Sequence, residues 1–172
     1  SSYLAENPPF DLANVVAGFN FDRVLPTGKT KDMAVIGYGA SELEDYLEAE
    51  LEKQGRYINP DPNPEKGYFY RSDHISFAKK GVPVLYSDDG FDLEEGGIEE
   101  GFKEIYDYTN FRYHGVNDEY DPSWNLEGFE QTIDTIFNIS LDLSNSSDWP
   151  NWYEGNEFRA TRDAQLSLKN IL

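Results

Sequence analysis

Cysteine is absent, histidine occurs only twice and methionine once in the 172 residues. Without cysteine the chain builds no disulfide framework and no thiolate metal site, and it carries no mark of its redox compartment. With His74 and His114 as its only imidazoles, any metal site must rest mainly on carboxylates or on residues outside the chain. Basic residues are scarce too: 14 Lys and Arg stand against 33 Asp and Glu, a formal net charge of −19. Phosphate backbones are bound by clustered cations, so a nucleic-acid partner is not expected. An anionic membrane surface is disfavoured for the same reason. No apolar run approaches the roughly 20 residues that span a bilayer, so no membrane-spanning segment is expected. Such a charge bears on solubility and on steering of ligands rather than on fold.

What is present argues for one folded domain. The length suits a single core. Hydrophobic residues make up 38% and aromatics 15%, with 12 Tyr and 11 Phe, a load that disordered chains lack. The opening, Ser1 to Pro9, has neither the basic start nor the apolar stretch of a signal peptide, and no initiator Met. It reads as an interior cut.

Periodicity and turn signals lay out an α/β order. Leu12 to Val24 reads as a buried strand, followed by a turn at Pro26-Thr27-Gly28. Met33 to Tyr38 reads as a second strand. Ser41 and Glu44 fit a capping box for a helix with Leu43, Leu47 and Leu51 at helical spacing, closed by Gly55. Asn59 to Pro64 is a proline-stiffened loop. Ser72 or Asp73 caps a short helix to about Lys80, and Val82 to Tyr86 is a strand with Pro83 near its start. Asp88 to Asn110 is expected to be mostly loop with one helical turn. Leu126 to Leu143 is a helix capped by Asn125, with Phe129, Ile133, Ile136, Phe137 and Leu141 as its apolar stripe. An aromatic loop, Asp148 to Trp152, whose tryptophans suit packing, precedes a last helix over Glu157 to Leu168. The expected class is an α/β domain with helices layered over a mainly parallel sheet.

Three segments could carry chemistry. Asn20-Phe21-Asp22 places one carboxylate at the end of an apolar strand, where it must be hydrogen-bonded, paired or metal-bound, or else caps a turn. Tyr70-Arg71-Ser72-Asp73-His74 holds a possible dyad. Adjacent helical side chains diverge, however, so Asp73 and His74 read better as backbone-bonding cap residues. Arg71 stands before the cap and could point into a cleft. Tyr113-His114, followed by Asp118 and Glu119, offers an imidazole ligand and a phenol able to donate to an oxyanion. Asn138-Ile139-Ser140 and Asn145-Ser146-Ser147 match the glycosylation pattern by chance, and Asp92 to Glu100 lacks EF-hand spacing.

Read together and in order, the segments NFD, GYGASELEDYL, PDPNPEKGYFYRSDHISFAKKGVP, YHGVNDEYDPSWNLEG and WPNWYEGNEFRATRDA resemble the C-terminal half of the zinc aminopeptidases of metallopeptidase family twenty-eight. The likeness runs from Tyr3 to about Ala164. It implies a three-layer α/β/α sandwich with a mainly parallel or mixed sheet, of which residues 1–172 would be the C-terminal portion, the N-terminal portion missing. It implies two zinc ions, with Asp22 and His114 as one ligand to each, Tyr113 polarising the scissile carbonyl and Arg71 lining the substrate cleft. The remaining ligands and the general-base Glu find no counterpart here. The expectations are therefore a peptide substrate, an N-terminal half of the same domain as partner, and a chain that alone holds zinc weakly and is inactive. An exported, periplasmic or secreted location is implied by the resemblance alone. Similar segments occur in glutaminyl cyclase-type single-zinc acyltransferases and in metal-free receptor-like relatives, which are the alternative readings.

Overall fold

A computed structural model describes residues 1–22 and 25–169. Val24, the expected end of the first strand, lies outside them. In chain order the elements are α1 (Ser2–Glu6), β1 (Gly18–Asn20), β2 (Asp32–Val35), α2 (Leu43–Lys53), β3 (Tyr57–Pro60), α3 (Ile75–Ala78), β4 (Val84–Asp89), α4 (Gly97–Phe111), α5 (Glu127–Ser144) and α6 (Arg159–Lys169). The four strands form one sheet in the order β1-β4-β2-β3. β1 runs parallel to β4, and β2 parallel to β3, while β2 and β4 are antiparallel. The class is α/β as expected, with a mixed sheet.

Alternation along the strands sorts the core. Met33, Val35 and Leu85 point to one face, where Leu43, Leu47 and Leu51 of α2 and Ile136, Ile139 and Leu143 of α5 cover them. Each fully buried leucine of this kind contributes about 2 kcal/mol of transfer free energy. Val84 points to the other face, packed with Leu12, Val82 and Phe77. Trp152, wholly buried, joins Ala78 and Phe158 and donates its indole N–H to the Gly81 carbonyl at 3.2 Å. Its loop is packing, as its composition suggested.

Several elements differ from the sequence reading. Among the described residues, the strand expected over Leu12 to Val24 is only Gly18–Asn20, preceded by a 3-10 turn at Leu12–Asn14 whose Ala13 N–H is held by the Asp11 carboxylate. Proline did not prevent Tyr57–Pro60 from pairing. β3 is an edge strand, where a missing N–H is tolerated. Glu44 accepts the N–H groups of Gly39 and Ala40, each at 2.8 Å, and that of Ser41 at 3.4 Å, the last being the return half of the expected capping box, while the helix itself begins at Leu43.

The largest departure is α4, a 15-residue helix where loop was expected. Its apolar residues Ile98, Phe102 and Ile105 do recur at helical spacing, but Gly96, Gly97 and Gly101 and the surrounding acids obscure them. Glu99 and Glu100 sit in the first turn, where they favour the helix dipole. Gly101 is required by packing, because a Cβ there would collide with the Phe91 carbonyl. Buried Asp32 fixes the preceding bend by accepting the N–H groups of Phe91 at 3.1 Å and Asp92 at 2.8 Å.

α5 also turns a different face inward. Asn125 holds its start by accepting the Glu127 N–H at 3.0 Å. The buried side carries Thr132, Thr135, Ile136, Ile139 and Leu143. Ile133, Phe137 and Leu141, expected in the core, are exposed, Phe137 by 61%.

Candidate functional site

The site grows from the end of β1. Asn20 pairs with Tyr86 of β4, and Asp22 follows two residues on. The Tyr86 hydroxyl donates to Asp22 Oδ2 at 2.6 Å, and Ser72 Oγ donates to Oδ1 at 2.9 Å. Asn20 Nδ2 donates to Oδ1 at 3.2 Å and to Ser72 Oγ at 3.0 Å. Burial works against ionisation of Asp22, but these donors and nearby His74 outweigh it and hold the carboxyl below its ordinary range. Burial first, and the bond to Asp22 second, push the Tyr86 phenol far up, so it stays a donor. The strand-end carboxylate is thus secured by hydrogen bonds on both oxygens.

The Arg71-Ser72-Asp73-His74 segment does something other than cap α3. Ser72, expected only as a cap, positions Asp22. Asp73 accepts from Ser1 Oγ at 2.6 Å. His74 occupies the N-cap position through its backbone, but its ring is buried between Phe69 and Tyr86 with centroids 4.7 and 5.0 Å away. Neither ring nitrogen has a hydrogen-bond partner among the described residues. Burial pushes the imidazole down to about 4, against the opposing pull of Asp22 and Asp73, so it is neutral at physiological pH. No local sequence signal separated these roles, because Ser72 and Asp73 are both ordinary cap residues and the burial of His74 depends on Phe69 and Tyr86.

Asp22 and Tyr86 line a cleft of about 180 Å³ whose walls include Asp61, Tyr68, Phe102 and Tyr113. α4 supplies one wall, and the turns at Pro64–Lys66 and Tyr68–Tyr70 the other. The structure therefore brings two of the four expected site residues, Asp22 and Tyr113, to one cavity. His114 stacks on the Tyr113 ring, centroids 3.9 Å apart, but is exposed and does not line the cleft. Its φ of 58° is left-handed, and its N–H bonds the Asp118 carboxylate at 3.3 Å. Such a backbone costs a non-glycine residue about 1 kcal/mol or more and marks functional segments often enough to note. Arg71 closes the Tyr68–Tyr70 turn, is exposed, and lies outside the lining.

Zinc takes three or four protein ligands in tight sites. Among the described residues no three His, Asp or Glu side chains gather in a way that could hold a metal ion. Asp22 and His114 by themselves do not fit a complete zinc centre. What the cleft offers is the ionised, rigidly held Asp22, further carboxylates at Asp61 and Asp88, the Tyr113 phenol and aromatic walls.

A family model described as Peptidase family M28 matches residues 1–140, a span that includes Asp22, Arg71, Tyr113 and His114. Comparison with curated proteins and with solved structures gives no match.

Proposed function

The chain belongs to peptidase family M28, and from that membership we propose that it is part of an aminopeptidase, an exopeptidase that hydrolyses N-terminal peptide bonds. The observation that carries the reading is the meeting of Asp22 and Tyr113 in one cleft within the family-matched span. Asp22 is held ionised, which suits a carboxylate that ligates a cation. The Tyr113 hydroxyl, in the wall of the cleft, would donate to the oxyanion that forms as a scissile carbonyl is attacked. Arg71, exposed beside Ser72, would meet the peptide at the rim of the cleft. Since Asp22 and His114 fall short of a zinc site, the other ligands of two zinc ions and the general base belong to polypeptide outside this chain. The chain alone is then inactive and binds zinc weakly.

Aminopeptidase assays on aminoacyl-p-nitroanilides test this. The protein from its natural source should turn over, and Asp22→Asn should abolish that turnover while leaving the fold intact by circular dichroism. The 172-residue chain with added zinc should show none. Turnover by the chain alone, abolished by His114→Ala, would contradict the division of the site. Absence of turnover in the source protein would contradict the peptidase reading.

A further inference from the structure

The carboxyl ends of three strands converge on the middle of β4. β1 stops at Asn20, whose partner on β4 is Tyr86. β2 comes the other way along β4 and stops at Val35, opposite Ser87. β3 ends beside β2, with Pro60 opposite Val35, and the Asp61 N–H donates to the Val35 carbonyl at 3.0 Å. Chain leaving these ends must turn out of the sheet, and ligands of open α/β sheets lie at such carboxyl ends. The cleft of Asp22 and Tyr113 lies at this point, and Ile36 and Asp61 line it as well. It does not end there. Asp61 and Tyr68 also line a second cavity, a groove of about 320 Å³ between the turn over residues 37–40 and the turn at Tyr68–Tyr70.

Both walls of the groove are braced. On one side Glu44 holds the N–H groups of Gly39 and Ala40, and the Ala40 carbonyl accepts the Tyr153 N–H at 2.9 Å. On the other the Tyr70 hydroxyl donates to Glu157 at 2.9 Å, and Phe69 packs edge-on against Tyr70 and His74. The walls touch at Gly37, where φ is 79° and a Cβ would collide with the Phe69 ring. Yet Tyr38 and Tyr70 are 55% and 60% exposed. Aromatic rings held firmly but left open lose little freedom when a ligand stacks on them. Depth separates the two cavities. Tyr86 and Phe91 in the cleft are buried, whereas Tyr38, Tyr68 and Tyr70 stand exposed around the groove. The cleft is a deep pocket, and the groove is a shallow channel that continues from it.

We propose that the groove receives the residues that follow the scissile bond, so that the substrates are oligopeptides rather than dipeptides. This inference rests on the peptidase reading. The N-terminal side chain of the substrate enters the buried cleft. The rest of the peptide passes Asp61 and Tyr68 and lies between the two turns, where Tyr38 and Tyr70 stack against its side chains. Continuity with the cleft through Asp61 and Tyr68 is what assigns the groove to the substrate. Contacts made this far from the reacting bond raise the rate wherever they tighten in the transition state.

Substrate length tests it, with the protein as its natural source makes it. A dipeptide amide carries the N-terminal residue of the best-cleaved aminoacyl-p-nitroanilide followed by alanine, and a tetrapeptide amide extends it by phenylalanine and alanine. Release of the N-terminal residue should show kcat/KM at least about 5-fold higher for the tetrapeptide, the gain expected of two aromatic contacts. Tyr38→Ala removes one wall of the groove without touching the cleft, and should bring that ratio to about half or less. A loss of folded protein would lower both substrates alike and keep the ratio. Equal kcat/KM for the two amides, or a ratio that Tyr38→Ala leaves unchanged, overturns the inference and leaves the peptidase reading standing. No turnover of any amide or anilide removes the peptidase reading, and the inference with it.

Discussion

Replacing His74 by Leu should flatten the acid limb of the stability profile. In the fold the imidazole is pushed from its ordinary 6.5 down to about 4, because it is buried between two rings. In the unfolded chain it titrates near 6.5. Between those values the unfolded state binds more protons, so stability falls as pH falls. Above 6.5 the effect is absent, and below about 4 it is complete. At about 1.36 kcal/mol per pH unit the full loss is about 3 kcal/mol, and about 2 kcal/mol of it has accrued by pH 5. Urea unfolding of the wild type and His74→Leu at pH 7, 6 and 5, followed by circular dichroism, measures it clear of the isoelectric point near 4.2. Asp22, which His74 helps to hold low, stays ionised over this range in both proteins, and the remaining carboxylates cancel in the difference. The wild type should lose about 2 kcal/mol more than the variant between pH 7 and 5. Parallel losses in the two proteins would refute the buried, unpaired histidine.

The face of α5 can be checked by a pair of variants: Ile139→Ala, at a side chain 1% exposed, should cost about 2–5 kcal/mol, and Ile133→Ala about 1 kcal/mol or less, in urea unfolding of the chain. The reverse order would restore the stripe read from sequence. Tyr86→Phe removes one donor from Asp22, so the Asp22 carboxyl should titrate higher in carbon-13 NMR. Asp22 favours the folded state when ionised, a contribution present at neutral pH and lost as pH falls through its lowered pKa; in the variant the contribution is smaller and its loss is complete at a higher pH. An unmoved titration would discount the hydrogen bond. Gly101→Ala drives a methyl into the Phe91 carbonyl and should destabilise by about 1–3 kcal/mol in the same unfolding assay, whereas a neutral result would mean that α4 packs differently.

The parts of this structure that could be read from sequence are those where local pattern and tertiary burial agree. Leu43, Leu47 and Leu51 repeat at helical spacing and are all buried, so α2 was plain. α4 was not, because three glycines lower helix propensity locally while the close approach of Gly101 to Phe91 requires one of them. In α5 the apolar residues at 133, 137 and 141 gave the stronger pattern, yet Thr132 and Thr135 are buried instead. Thr132 donates to Asp89 at 2.8 Å, and such satisfied hydroxyls leave no trace in a hydrophobic count. At the site, Asp22 and Tyr113 emerged from the order of motifs. Ser72 and Tyr86 did not, since their part is to hold Asp22, and that requires β1, β4 and the Ser72 turn to be placed in space.

Zinc content of the 172-residue chain after equilibration with zinc and exhaustive dialysis tests the divided site most directly. The account predicts far less than one zinc per chain, unaltered by Asp22→Asn or His114→Ala. Two zinc ions per chain, lost in either variant, would contradict it.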